Sequence, residues 1–132
     1  MDKIYKITPV PKPRMTRSDK WKQRPCVMRY RAFADEVRRL GMTVPDCGAR
    51  IVFRFKMPDS WSEKKKFLMD NKPHQIRPDV DNCAKAVFDS LFKDDSHIYD
   101  IRITKLWARD SSIQIISSVY KNTFSLINNI NA

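Results

Sequence analysis

Between Arg77 and Asp95 the chain reads RPDVDNCAKAVFDSLFKDD, with Asp79, Asp81, Asp94 and Asp95 at its ends and Lys85 four residues after Asp81. Carboxylates are hard oxygen donors. Mg²⁺ takes such ligands at about 2.0–2.1 Å and often binds through a few of them plus a substrate phosphate. A zinc site would call for Cys or His instead. Two or three converging aspartates therefore suit a divalent cation that polarises a phosphate and activates water. Lys85 suits stabilisation of the charge that develops on that phosphate. The segment is no calcium loop, because neither a glycine turn nor a terminal glutamate follows Asp-Val-Asp-Asn at the required spacing. A structural reading stands beside this one. Aspartates at a helix start are commonly caps worth about 0.5–2 kcal/mol, and Lys85 is a natural i, i+4 partner of Asp81 or Asp89. The residues alone leave both readings open.

Convergence depends on the backbone. Pro78 disfavours helix at Arg77, so the segment is expected to arrive extended, with Asp79 and Asp81 on one side and Asp81 near a helix start. A helix over Asp81–Phe92 is about 18 Å long. Nothing local returns Asp95 to Asp79; the loop and sheet must do it.

The charge distribution sharpens the problem. The chain carries a net charge of +11, and residues 1–77 hold 20 Lys and Arg against 8 Asp and Glu. Residues 79–100 reverse this, with six aspartates against Lys85 and Lys93. A strongly basic protein suits a polyanionic partner, and an acidic island within it weakens that binding unless a cation neutralises it. Arg14, Arg17, Lys20 and Lys22 cluster in the first loop with Arg24 and around Trp21; Lys64, Lys65, Lys66 and Lys72 precede the island, which Arg77 adjoins. As a group they are expected to meet phosphates; singly, each is an ordinary surface charge. Trp21 and Trp61 are candidates for stacking on unpaired bases. His74 and His97 are expected to be hydrogen-bonding residues. Asp89 and Asp100 are expected to be solvated or paired.

The elements that must position these groups follow from periodicity. Residues 4–9 read as a short strand, followed by a proline-punctuated cationic loop. Tyr30, Phe33, Ala34, Val37 and Leu40 mark an amphipathic helix over Val27–Leu40, closed by Gly41. Ile51, Phe53, Phe55 and Met57 alternate with Arg50, Val52, Arg54 and Lys56 in a strand with one apolar and one cationic face. A short helix is expected at Ser62–Asp70. Ala84, Val87, Phe88 and Leu91 form the stripe of the Asp81–Phe92 helix. The runs Ile98–Trp107 and Ile113–Tyr120, separated by ARDSS, read as a hairpin, and the last dozen residues are expected to fray. The order β-α-β-α-β-β predicts a single α+β domain over residues 1–132, a mixed sheet carrying two main helices. Cys26, Cys47 and Cys83 form no metal-like pair, no apolar run is long enough to span a bilayer, and the first residues lack a signal pattern. A soluble, cytoplasmic protein without membrane or organic cofactor is expected.

The stretch PDVDNCAKAVFDSLFKDDSHIYDIRI resembles the RusA family of crossover-junction endodeoxyribonucleases of bacteria and their phages and prophages. It carries D-x-D-N, a lysine four residues after the second aspartate, F-D, and a later D-D pair; PKPRMTR is similar to the family's proline- and arginine-rich stretch. The likeness runs from about Ile4 to Tyr120, with Cys83 standing where the family usually has leucine. The resemblance implies a homodimer that binds four-way DNA junctions and makes paired nicks with Mg²⁺, with Mn²⁺ a candidate substitute. By position it implies Asp79, Asp81 and Asp95 as metal ligands and Lys85 as the catalytic lysine, with Asp94 a neighbour of unassigned role. Two rivals remain: a non-catalytic nucleic-acid-binding module whose aspartates are structural, and a nuclease acting on RNA or other branched DNA.

Overall fold

A computed structural model describes residues 2–117. Strand β1 (Asp2–Tyr5) leads through the proline-rich loop, which contains a 3₁₀ turn at Arg17–Lys20, into helix α1 (Pro25–Arg39). Strand β2 (Ala49–Lys56), helices α2 (Glu63–Met69) and α3 (Val80–Leu91), and strands β3 (Ile101–Ala108) and β4 (Ser112–Ile116) follow. Together they form an α+β unit with one mixed sheet of order β1-β4-β2-β3, in which β2 runs parallel to β3 and antiparallel to β4.

The alternation in β2 explains its central place. Ile51 and Phe53 are fully buried and share one core with Ile113, Ile115, the α1 residues Phe33 and Val37, and the α3 residues Cys83, Ala86 and Val87. The opposite face holds Arg50 and Arg54, whose guanidinium groups donate to Thr104 and Gln114 on the flanking strands. Val52, on that same face, is nonetheless buried. Helix α1 ends as its glycine predicts. Gly41 sits at φ +66, its N–H reaches the Arg38 carbonyl, and the Met42 N–H reaches Val37, satisfying the last free carbonyls.

Two expectations require correction. Strand β1 is Asp2–Tyr5, not residues 4–9, because beyond Tyr5 the chain leaves β4, whose paired residues run only from Ile113 to Ile116. The β3–β4 hairpin does not form either, since β2 lies between the two strands. Four residue steps from Ala108 to Ser112 reach about 13 Å, more than the roughly 9.6 Å between strands two places apart. The link passes over the end of β2, where the Met57 N–H donates to the Ala108 carbonyl and the Lys56 N–H to Ser111 Oγ. Strand β2 thus gains a partner on each side. Residues 118–120 of the final predicted run, and the terminal stretch expected to fray, lie outside the described residues.

Candidate active site

The acidic motif is delivered to α3 by a segment tied to the sheet edge. Asn71 donates to the Trp107 carbonyl, Trp107 to Lys72, and His74 to Lys105, so residues 71–74 run antiparallel along the free side of β3. His74 is buried there, stacked 4.1 Å from Phe55 and tilted against Trp107. Burial first, and then the Lys105 charge, hold its imidazole below the usual histidine range. Its Nδ1 has no hydrogen-bond partner among the described residues. Of the two histidines expected to hydrogen-bond, His97 does so through its ring, at 2.7 Å from Asp46.

From this edge the chain reaches Asp79, the N-cap residue of α3, which is extended at φ −67, ψ 149 but whose carboxylate makes no capping hydrogen bond. The extended geometry ends there. Val80 begins the helix, so Asp81 lies in its first turn rather than beside Asp79 on one strand-like face. The two acids consequently leave on different flanks. Asp79 lines a cleft of about 440 Å³ with Pro11, Arg77, Pro78 and Asn82. Asp81 lines a second, of about 510 Å³, with Ala84, Lys85, Phe88, Asp89, Asp95 and Ile103.

Folding therefore does bring Asp95 back to Asp81 and Lys85. The loop that carries Asp95 is held by several contacts. The Tyr99 N–H donates to the Asp46 carbonyl, the Gly48 N–H to Asp100 and the Ile98 N–H to Asp95. Asp94 closes the turn by accepting from the Ser96 N–H at 2.9 Å, which lowers its pKa. This gives the unassigned Asp94 a structural role.

Asp79, Asp81, Lys85 and Asp95 are all exposed, and among the described residues their side chains make no ion pair or hydrogen bond. The cap and the i, i+4 pair that ordinary structural use would produce are both missing among the described residues; Asp89 pairs with Lys12 at 3.1 Å instead. The three aspartates do not form a tight set, and no group of three or more His, Cys, Asp or Glu among the described residues could hold a metal as it stands. The donor chemistry nevertheless fits a hard cation, since Mg²⁺ is commonly held by one or two carboxylates with waters and substrate phosphate completing the shell. Asp81 and Asp95 supply two such oxygens in one cleft, and Asp79 is a third from the adjoining one.

The cationic residues divide. Arg77 lines the Asp79 cleft. Arg14 lines a third, of about 300 Å³, with Arg24, Arg29 and Pro11, and Pro11 also borders the Asp79 cleft. Arg17, Lys20 and Lys22 are exposed at the 3₁₀ turn, whose buried Asp19 pairs with Arg24 at 2.8 Å. Lys64 and Lys65 are exposed on α2; Lys65 lies 4.2 Å over the Trp61 ring, and Lys66 is 3.9 Å from Glu63. Trp21 is exposed, whereas Trp61 is half-buried against Trp107.

Two lysines escaped the sequence reading. Lys12 docks the proline-rich loop on α3 through its N–H to the Asn82 carbonyl, its ion pair with Asp89 and its contact with the Tyr30 ring. Lys105 reaches the carbonyls of Ile76 and Pro78. The available signal was its place in β3, a charge in the apolar alternation of Ile101, Ile103 and Trp107.

No helix among the described residues is long and apolar enough to cross a membrane. The chain is 32% identical over 68 residues to the uncharacterized protein YqaN of Bacillus subtilis (strain 168), a match covering 46% of this chain and 48% of that protein. It thus spans about half the length of that curated relative. The model of the family described as endodeoxyribonuclease RusA matches residues 5–116; with most of its length matched, including both clefts and every acid in them, the chain belongs to the endodeoxyribonuclease RusA family.

Proposed function

We propose that this protein is a Mg²⁺-dependent endonuclease that resolves four-way (Holliday) DNA junctions by paired nicks, in recombination and repair or in phage DNA processing. The observation that carries the reading is the cleft that gathers Asp81, Lys85 and Asp95, none of them engaged by another described side chain, in a chain of this family. Asp79, Asp81 and Asp95 would hold Mg²⁺, or Mn²⁺ in its place. The cation, when bound, supplies Lewis-acid polarisation of the scissile phosphate and of the attacking water. Lys85 donates to a non-bridging phosphate oxygen and steadies the charge that grows there in the transition state.

Arg77, and Arg14 and Arg29 in the cleft that shares Pro11 with that of Arg77, receive flanking phosphates and fix the backbone without reading bases. Arg17, Lys20, Lys22, Lys64, Lys65 and Lys66 add to the field that draws DNA in. A homodimer suits the reaction because two equivalent strands must be cut, and a two-fold assembly presents two copies of one site. The bacterial or phage-infected cytoplasm is the matching location.

The test is a synthetic four-way junction incubated with the protein and either Mg²⁺ or EDTA. Paired nicks with Mg²⁺ alone are expected, and Asp81→Asn should abolish them while leaving junction binding nearly intact. Cutting by that variant at the wild-type rate refutes the site. A non-catalytic DNA-binding module is the second reading, favoured by the lack of a three-acid cluster among the described residues. It predicts binding without cleavage under any metal.

A further inference from the structure

We propose that Lys105 is a positioning residue for the nuclease site, clamping the peptide ahead of Asp79 so that the aspartates at the start of α3 are presented to the metal and phosphate. The inference rests on the endonuclease reading for its consequence, but on geometry for its substance. Lys105 pairs across to Phe53 and shares the helix-side face of β3 with Ile101, Ile103 and Trp107. An ammonium there is costly unless its donors are satisfied. Lys105 Nζ ends 2.7 Å from the Ile76 carbonyl and 2.5 Å from the Pro78 carbonyl.

The second acceptor is the informative one. The Pro78 carbonyl belongs to the peptide that joins Pro78 to Asp79, so holding it fixes that peptide plane and the direction in which the Asp79 side chain leaves. Pro78 has no N–H through which the segment could be tied otherwise. The helix has no side-chain cap to set its entry angle. With the Ile76 carbonyl held as well, both ends of the Arg77–Pro78 step are fastened to β3 by one side chain. Residues that orient metal ligands from behind commonly change metal affinity or activity by roughly 10–100-fold.

The experiment compares wild-type protein with K105M, which keeps the aliphatic stem but no donors, and K105R, which restores charged donors. Amide hydrogen exchange of peptides covering residues 76–85 is measured without metal, and nicking is measured as a function of Mg²⁺ alongside junction Kd. In K105M, faster exchange across residues 77–83, a kcat lower by roughly 10–100-fold, a raised Mg²⁺ half-saturation and a nearly unchanged junction Kd are expected. K105R should recover most of each. A folded K105M that matches wild type in exchange and Mg²⁺ half-saturation overturns the proposal. So does a loss of nicking with unaltered exchange, which would mean that Lys105 meets the phosphate directly. If K105M does not fold, reductive methylation of the wild-type protein decides. Lys105 should react at least about tenfold more slowly than Lys64, and equal rates overturn the clamp. If wild-type protein fails to nick junctions at all, the nuclease reading falls by itself, and exchange still settles the clamp.

Discussion

Removing the Lys12–Asp89 pair should separate the tether of the proline-rich loop from the chemistry of the acids beside it. The charges lie 3.1 Å apart on side chains 19% and 29% exposed. At an effective dielectric of 20, their gross attraction is about 5 kcal/mol. Desolvation and immobilisation offset most of it. Exposed pairs retain about 0.2–1 kcal/mol, and breaking buried ones costs about 3–5. This intermediate exposure points to a coupling of about 1–2 kcal/mol in a double-mutant cycle of Lys12→Met and Asp89→Asn. Lys12→Met should cost more than Asp89→Asn, because it also loses the contact with the Tyr30 ring at 4.5 Å, worth about 0.5–1 kcal/mol. Urea unfolding at moderate salt measures all four corners. Burial works against the Lys12 charge, but the hydrogen bond to Asp89 and the charge of that carboxylate outweigh it and raise its pKa. A lysine whose folded pKa is raised contributes fully below its unfolded value, near 10.4, and loses that contribution as pH rises through the folded one. The coupling should therefore be constant from about pH 7 to 9. A coupling below about 0.3 kcal/mol, within the additivity of independent sites, would refute the claim that this pair holds the loop to α3.

Three further outcomes are expected. His74 is held below its ordinary pKa by burial and by Lys105. Its neutral form stabilises the fold above about pH 6.5, and that contribution is lost as pH falls toward the folded value. His74→Phe, which keeps a ring against Phe55, should flatten the fall in urea midpoint below about pH 6.5, and parallel profiles would count against this account. The Cys83 thiol is pushed up to about 11 by burial. Iodoacetamide at neutral pH should reach the half-buried Cys26 and Cys47 first, with Cys83 labelled only on unfolding. If Lys64 and Lys65 meet phosphates, replacing both with Gln should reduce the slope of log K against log salt by about 2 on duplex arms; an unchanged slope removes α2 from the DNA path.

Much of this was written in local patterns. The i, i+3, i+4 spacing of Tyr30, Phe33, Ala34 and Val37 yields α1 within two residues at its start, and Gly41 closes it. The stripe of α3 is right for Ala84 and Val87, whereas Phe88 and Leu91 are half-buried and Cys83, Ala86 and Ser90 are buried beside them; the alternation of Ile51 and Phe53 marks the core face of β2. Spacing also singled out Asp79, Asp81, Lys85 and Asp95 as the candidate site, since residue types at fixed intervals are visible without the fold.

Pairing between distant strands leaves no such imprint. ARDSS suits a hairpin and a link over an intervening strand equally well, and the fold places β2 between β3 and β4. Nor could a local pattern show that Asp79 and Asp81 leave α3 on different flanks, because that turns on where the helix starts, within one residue. The return of Asp95 to the cleft of Asp81 and Lys85 depends on its loop docking on residues 46–48, some fifty positions earlier. The sequence by itself determined the residue types and the faces they occupy, because these follow from backbone periods of 3.6 and 2. Tertiary structure alone decided which acids share a cleft, and assigned Lys12 and Lys105 to the peptides they hold, because those contacts join segments whose separation along the chain carries no local signal.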